Sequence, residues 1–326
     1  MREALFIKQN SARWRAYEAD KSRLDPDQLA ESFISITDDL AYAKTFYPRS
    51  NTTKYLNGLA SGFHQSIYRN KKEKSNRFIL FWRYELPLIF FKHRRLLLYS
   101  FAFFLVSTLM GVLSAKYDGH FVNLILGDGY VNMTNDNIAK GDPFGVYKKM
   151  GEFEMFLMIG LNNIWVELKL VVSGIFLSVG SLYMLVYNGI MLGSFQYYFF
   201  SKGLGLQSVL VIWIHGTLEI STIIISGAAG LILGNSLLFP KTYSRLVSLK
   251  AGGKDAIKIA LGILPIIVTA AFFEGYVTRH TEMPIWLSVT ILVLSFIFIL
   301  WYVVIYPAVL NKQFTQATPY IDDTEV

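Results

Sequence analysis

The sequence predicts an all-α, polytopic helical membrane protein, with about six transmembrane helices and a helical cytoplasmic region at its N-terminus. Three observations predict this fold class. Of the 326 residues, 53% are hydrophobic, and the long apolar runs begin only after residue 95. The charged residues are concentrated before that point. Aromatic residues make up 15% of the chain, and many stand at the edges of apolar runs, where rings typically anchor helix ends at the lipid headgroups.

The first 68 residues predict soluble amphipathic helices. Apolar side chains recur at three- and four-residue spacing over residues 28–44, and residues 52–68 show a similar stripe. Pro26 is suited to the first turn of the earlier helix, and Pro48 to its end. The simplest interpretation is a small bundle that packs on itself or on the membrane. A partner-binding domain is the alternative.

The following segment, residues 69–95, mixes basic side chains with bulky apolar ones, which predicts a helix lying in the membrane interface. This helix would close a cytoplasmic arm over residues 1–94. Because the charges stand beside apolar spans, the net charge of +7 indicates anionic lipid as the partner and not nucleic acid. The basic residues are Arg69, Lys71, Lys72, Lys74, Arg77, Arg83, Lys92, Arg94 and Arg95.

Apolar runs with little or no charge predict the membrane spans by their length. The runs are residues 96–115, 164–187, 189–200, 208–234, 257–276 and 284–306. The transmembrane bundle would then cover residues 95–308, with an extracytoplasmic loop at about 116–160 and a cytoplasmic tail at 309–326. The segment 189–200 is short for a full crossing, so a re-entrant hairpin there is the alternative.

Lysine and arginine in the connecting segments predict the orientation. The region before the first span and the segment 240–258 are rich in them, whereas the segment 277–283 holds only Arg279. Six crossings place both basic regions, and both termini, in the cytoplasm. The chain has no cysteine, which excludes disulfides and thiolate chemistry.

A histidine and a glutamate in the fourth predicted span are the first candidates for function. His215 and Glu219 stand four residues apart and therefore share one face of a helix. Ionisable groups at membrane depth are costly, so they usually face the bundle interior and have a role. An interhelical polar clamp is the simplest interpretation. Transport or gating, and acid–base catalysis, are the alternatives.

Further polar residues are candidates for the same polar core, and Glu167 and Glu274 can reach it if the helices converge. A zinc site needs three or four ligands, and the other histidines lie outside the spans, so no metal and no cofactor is predicted. No catalytic motif is present in a credible context, which favours a non-enzymatic protein. The candidates besides His215 and Glu219 are Asn162, Asn163, Asn188, Glu167 and Glu274.

Two seams of small residues predict close helix packing. Ser226, Gly230 and Gly234 follow one another at four-residue spacing in the fourth predicted span, and Gly189 and Gly193 repeat that spacing in the third. Such seams join helices within one chain or between two chains. We expect a homodimer.

Four motifs, taken in order, resemble the stage II sporulation protein M family; they are residues 162–164, 188–193, 215–220 and 226–230. Phe6, Trp14, Leu56, Asn57 and His64 are also similar to that family. The namesake of the family is the membrane anchor of a complex with peptidoglycan-degrading proteins. It offers no catalytic residues to carry over.

The resemblance implies a non-enzymatic protein of the bacterial cytoplasmic membrane that scaffolds or regulates other membrane or envelope proteins. Because of the His–Glu pair, a transporter or channel-like permease is the alternative hypothesis for the function. An intramembrane hydrolase is the third hypothesis.

Overall fold

The structure, a computed structural model, describes residues 2–20, 26–68, 77–148, 150–280 and 283–317. All regular elements in these residues are helical, which confirms the all-α class. The chain divides into two compact units, Met1–Arg77 and Phe78–Val326.

Within residues 2–20 and 26–68, the first unit consists of three helices with a core of their own, α1 (Glu3–Asp20), α2 (Pro26–Phe46) and α3 (Asn51–Tyr68). Both amphipathic stripes predicted from the sequence are helices, and their apolar faces pack on each other. The indole Nε1 of Trp14 donates to Asp39 Oδ2 at 2.7 Å, so the buried ring keeps a hydrogen-bond partner. The core side chains are Phe6, Trp14, Ile36, Leu40, Ala43, Leu56, Leu59, Ala60 and Phe63.

The second unit opens with a helical run made of α4 (Arg77–Leu80), a π-helical turn (Phe81–Glu85) and α5 (Leu86–Lys92). One face of this run packs into the bundle, with Leu86 and Phe90 buried. The Nε1 of Trp82 donates to the carbonyl oxygen of Gly262 at 3.0 Å. The opposite face leaves apolar side chains exposed, as an interfacial helix would. Four of the basic residues assigned to this helix, in the segment 69–76, lie outside the described residues.

Nine further helices follow among the described residues of the second unit. They are α6 (Arg94–Tyr117), α7 (Phe121–Leu126), α8 (Asp128–Ala139), α9 (Glu152–Val172), α10 (Val179–Ser201), α11 (Gly205–Leu238), α12 (Arg245–Phe272), α13 (Ile285–Leu300) and α14 (Tyr306–Ala317). Five helical stretches of this part of the chain are long and apolar enough to cross a membrane. They are Arg94–Tyr117, Glu152–Ile175, Gly205–Leu238, Arg245–Val277 and Ile285–Gln316.

The chain turns inside the segment that the sequence predicts as one span over 164–187, so the predicted bounds of the second and third spans are wrong. After α9, a 3₁₀ turn (Ser173–Ile175) leads to Leu177 and Ser178, whose φ angles of 54° and 69° are left-handed. Apolar and uncharged residues continue through this turn, so hydropathy gives no sign of it. The short segment 189–200 is the second half of α10, a helix of 23 residues.

Helix α10 lies antiparallel to α11 and contacts it along almost the whole length of α11. Near one end, Gln196 Nε2 donates to Ser208 Oγ at 2.9 Å. Near the other end, Ser178 packs against Gly234. Helix α10 is uncharged but holds an asparagine, a glutamine and four tyrosines, and it is not among the five apolar stretches. Those five together with α10 correspond to the predicted number of about six.

The predicted extracytoplasmic loop is folded into a cap, which we define as residues 121–148. It contains α7, α8 and a 3₁₀ turn (Gly145–Lys148). Gly127 and Gly141, which end α7 and follow α8, have positive φ angles of 84° and 80°, a conformation that glycine adopts without strain. Apolar residues of the cap pack on the ends of α6, α10 and α11. The buried members of this cluster are Ala115, Val122, Val131, Phe144, Tyr147, Met155, Tyr198, Phe199 and Val211.

The two small-residue seams lie at helix contacts inside the chain. A Cβ added at Gly189 would stand 2.8 Å from the carbonyl oxygen of Phe104 on α6. A Cβ at Gly193 would stand 2.8 Å from the amide nitrogen of Val112, also on α6. On α11, Gly230 and Gly234 face α9, α10 and the turn between them, and Ser226 bonds to α9. These contacts occupy the seams within one chain, and the homodimer stays a prediction.

Candidate functional site

Two pairs of polar side chains with four-residue spacing meet between α11 and the end of α12. His215 and Glu219 lie on α11, while Glu274 and Thr278 lie in and directly after a π-helical turn (Phe273–Val277). The Nδ1 of His215 and the Oγ1 of Thr278 are 2.9 Å apart, and His215 Nε2 lies 3.7 Å from Glu274 Oε2. One side-chain nitrogen or oxygen from each of His215, Glu219 and Glu274 lies within 4.8 Å of the other two. We call these three residues the His–Glu–Glu cluster.

The π-helical turn aims Glu274 at α11 and keeps the chain helical as far as Thr278. The backbone N–H of Thr278 donates to the carbonyl oxygen of Phe273 at 2.7 Å, which is the five-residue hydrogen bond of a π-helix. Short π-helical segments inside α-helices are frequent at functional sites. Gly275 on this turn allows α9 to approach, because a Cβ there would stand 3.1 Å from the carbonyl oxygen of Glu152.

Helix α9 adds Asn163, whose Nδ2 donates to Glu219 Oε1. The carboxyl groups of Glu219 and Glu274 lie within hydrogen-bonding reach of each other. Two adjacent carboxylates away from water repel each other unless a proton or a cation lies between them. The neighbouring Asn162 is exposed on another face of α9 and is not part of the cluster.

Glu167 forms a separate polar contact deeper along α9 and α11. Its side chain is buried, and Ser226 Oγ donates to its Oε2 at 2.9 Å. The hydroxyl of Thr222 on the same helix donates to the backbone carbonyl oxygen of Glu219 at 2.9 Å. This arrangement has the form of the interhelical polar clamp that the sequence suggests for His215 and Glu219.

Replacing Ser226 by alanine is expected to destabilise the bundle, because the buried Glu167 loses a hydrogen bond that cannot be replaced by water. Leaving a buried polar group unsatisfied costs about 1–3 kcal/mol. The matched control is Ser221→Ala on the same helix, since the Ser221 hydroxyl donates to the carbonyl oxygen of Thr217 in its own helix and bonds to no other described residue. The measurement is the thermal unfolding midpoint of each purified variant in one detergent. Equal midpoints for Ser226→Ala and Ser221→Ala would refute the clamp.

The His–Glu–Glu cluster lies in the wall of a cavity of about 620 Å³. Asn188 on α10 also lines this cavity, with its Nδ2 donating to the carbonyl oxygen of Met184 at 2.8 Å. Most of the other lining residues are apolar or aromatic. Three of them, Met158, Tyr187 and Met191, have exposed side chains, so the cavity opens between α9 and α10.

Two tyrosines of the cap cover the cavity at the end where His215 lies. The ring of Tyr147 stands 5.8 Å from the imidazole ring of His215 in an edge-to-face arrangement. Burial raises the pKa of Tyr130 to about 12 and raises that of Tyr147 as well, so both phenols stay protonated at physiological pH. The wall of the cavity therefore holds the phenol hydroxyls of the cap as well as the carboxyl groups of the cluster.

The sequence points to some of these residues and not to others. It does not identify the two tyrosines, because the cap reads as a loop of mixed charge. It does not point to Thr278 either, because the segment 277–283 reads as a turn outside the membrane. One signal for it exists, because Thr278 follows Glu274 by four residues, the spacing that links His215 to Glu219.

Residues 100–279, more than half of the chain, match the family model described as stage II sporulation protein M. The chain belongs to the stage II sporulation protein M family. The matched range of this family includes the whole His–Glu–Glu cluster and every residue that lines the cavity.

Residues 4–69 match a different model, described as a domain of unknown function (DUF8413). The family match therefore does not extend to the N-terminal positions, such as Phe6 and Trp14, at which the sequence resembles the stage II sporulation protein M family. Comparisons with curated proteins and with solved structures found no match.

Proposed function

We propose that this member of the stage II sporulation protein M family is a permease-like membrane protein that admits a small ligand or ion to its cavity. The observation that carries the proposal is the convergence of three ionisable side chains on the wall of a cavity of about 620 Å³ inside a membrane bundle. A polar clamp that only fixes helix register needs a packed environment and no cavity. Ionisable residues that face a cavity at membrane depth are typical of ion and proton pathways.

The chemistry of the cluster supports a cationic ligand or a proton. Across the described residues, the imidazole of His215 is the one basic group in contact with Glu274, and Glu219 accepts a hydrogen bond from the neutral amide of Asn163. The pair of carboxyl groups thus has no permanent lysine or arginine partner. It therefore attracts a mobile positive charge, which is the requirement for a pathway.

The proposed location is the bacterial cytoplasmic membrane, with both termini in the cytoplasm. Two ion pairs, Lys92–Asp255 at 2.8 Å and Lys258–Glu85, join the helical run 77–92 to the first half of α12. These two segments are rich in lysine and arginine, and such residues prefer the cytoplasmic side.

Cysteine labelling tests the proposal directly, because the natural chain has no cysteine. Ile223→Cys introduces a thiol on the cavity wall one turn from Glu219. Leu261→Cys, on the exposed face of α12, is the matched control at membrane depth. Lys140→Cys in the cap and Lys250→Cys in α12 mark the two sides of the membrane.

In sealed vesicles of either orientation, we expect a membrane-impermeant thiosulfonate to modify Ile223→Cys from both sides. Leu261→Cys should stay unmodified, and each side marker should react from one side only. A cavity thiol that reacts from neither side, or from one side alone, would contradict the permease. Markers that react from the sides opposite to those proposed would contradict the orientation.

A scaffold for envelope proteins is the second candidate, favoured by the separate core of the first unit. This candidate predicts that His215→Gln still supports growth in cells that lack the natural copy and need the protein under envelope stress. Asn162→Ala is the control in the same growth assay, and it should support growth because the Asn162 side chain is exposed. Loss of growth with His215→Gln at a normal level of folded protein would rule out a pure scaffold.

A further inference from the structure

The His–Glu–Glu cluster has the composition and geometry of a metal site, and we infer that His215, Glu219 and Glu274 bind a divalent transition-metal ion such as Zn²⁺. This inference rests on the proposed function and deepens it, because it names the cation that the cluster holds. The sequence predicts no metal here, since it offers His215 and Glu219 but no assured third ligand.

The distances between the nitrogen and oxygen atoms of the cluster suit such an ion after a small rotation of the side chains. Zinc binds imidazole nitrogen and carboxylate oxygen at about 2.0–2.2 Å, which puts the ligand atoms of a tetrahedral site about 3.4 Å apart. The separation of 3.7 Å between His215 Nε2 and Glu274 Oε2 is close to that value. All three ligand atoms lie within 4.8 Å of one another, a spread that side-chain rotation can reduce.

The unused nitrogen of His215 is an independent sign of a ligand. The side chain is only 4% exposed, and its Nδ1 is held by the Thr278 hydroxyl. Its Nε2 lies 3.7 Å from Glu274 Oε2, beyond hydrogen-bonding distance, and no hydrogen bond joins it to another described residue. Metal-bound histidines typically have one nitrogen fixed by an outer partner and the other on the metal.

The second carboxylate ligand is also oriented from outside the cluster. Asn163 donates to Glu219 from α9, which leaves the other oxygen of that carboxylate for a metal. Three protein ligands leave the fourth position of a tetrahedral ion open, and all three residues line the cavity. An ion with an open position can bind a water molecule or a group of a ligand that enters the cavity.

The charge balance favours a dication over a monovalent ion. Two carboxylates and a neutral imidazole carry a charge of about −2, which one divalent ion neutralises. One nitrogen and two oxygen ligands suit Zn²⁺ and its first-row neighbours better than Ca²⁺, which prefers six to eight oxygens.

The test uses the full-length chain, purified in detergent with an affinity tag free of histidine and stripped with a chelator. Dialysis against Zn²⁺ followed by elemental analysis should give one ion per chain. Loading with Co²⁺ should give the visible absorption of a site with nitrogen and oxygen ligands. Glu274→Gln and Glu219→Gln should each weaken binding at least about tenfold, and Thr278→Val about 10–100-fold through His215.

Glu167→Gln is the matched control, because Glu167 is a buried glutamate of the same bundle outside the cluster. It should keep the full metal content. Metal that is absent from the natural chain, or that is equally retained by Glu274→Gln, would overturn the metal site. The same preparations carrying Ile223→Cys separate the two proposals: a reactive cavity thiol without metal removes only the metal site, whereas an unreactive thiol removes the permease.

Discussion

Replacing Gly230 by alanine is expected to lower the stability of the bundle strongly, whereas the same replacement at Gly253 is expected to leave it unchanged or raise it. A Cβ at Gly230 would stand 2.6 Å from the carbonyl oxygen of Leu170 and 2.8 Å from Ser181 Cβ. The carbonyl belongs to the backbone of α9 and cannot move away without displacing that helix. Overpacking of this kind costs about 1–3 kcal/mol.

The control position, Gly253, has room for a side chain. A Cβ at Gly253 on α12 would meet Leu233 Cδ1 at 3.7 Å, an ordinary van der Waals distance. Alanine there gains up to about 1 kcal/mol of helix propensity. The thermal unfolding midpoints of the two variants in one detergent should therefore move apart, with Gly230→Ala below the natural chain. Equal midpoints would show that the α11 seam does not require glycine.

The second large effect is expected in the rate at which Ile223→Cys reacts with charged reagents. In the chelator-treated chain, a cationic thiosulfonate should react at least about tenfold faster than an anionic one, a ratio that corresponds to about 1.4 kcal/mol. The reason is the negative charge of Glu219 and Glu274 on the same cavity wall. Replacing both by glutamine should bring the ratio close to one.

Glu167→Gln again serves as the control and should keep the preference for the cationic reagent, because Glu167 does not line the cavity. Adding Zn²⁺ to the natural cluster should reduce the preference, since a bound dication neutralises the two carboxylates. An anionic reagent that reacts as fast as the cationic one in the chelated chain would contradict a negatively charged cavity.

The sequence predicts the periodic parts of the fold well. The helices of the first unit follow from apolar stripes, and most of the apolar stretches follow from length and lack of charge. The turn at Leu177 and Ser178 could not be predicted, because it is uncharged and apolar like the helices beside it. Tertiary contacts determine the position of this turn, because Gly174 packs against the backbone of α11 so closely that a side chain would not fit there.

The candidate site could be predicted only in part. Four-residue spacing shows that His215 and Glu219 share a face, but it does not show which helix that face meets. Asn163 and Glu274 join the cluster, whereas Glu167 has its own partner in Ser226. The two tyrosines of the cap come from a segment that is not a long apolar run. Their place at the cavity therefore becomes visible only in the folded chain.

The central claim is that α11 and α12 bring Glu219 and Glu274 together in one cluster, and cross-linking of paired cysteines tests it most directly. A protease site placed in the connection between α11 and α12, residues 239–244, allows the two halves to be separated. With Glu219→Cys and Glu274→Cys, a short bifunctional thiol reagent should keep the halves joined on a gel after cleavage. Asn162→Cys paired with Glu274→Cys should release them, because Asn162 is exposed on another face of α9. Halves that separate in the first pair, or stay joined equally in both, would contradict the cluster.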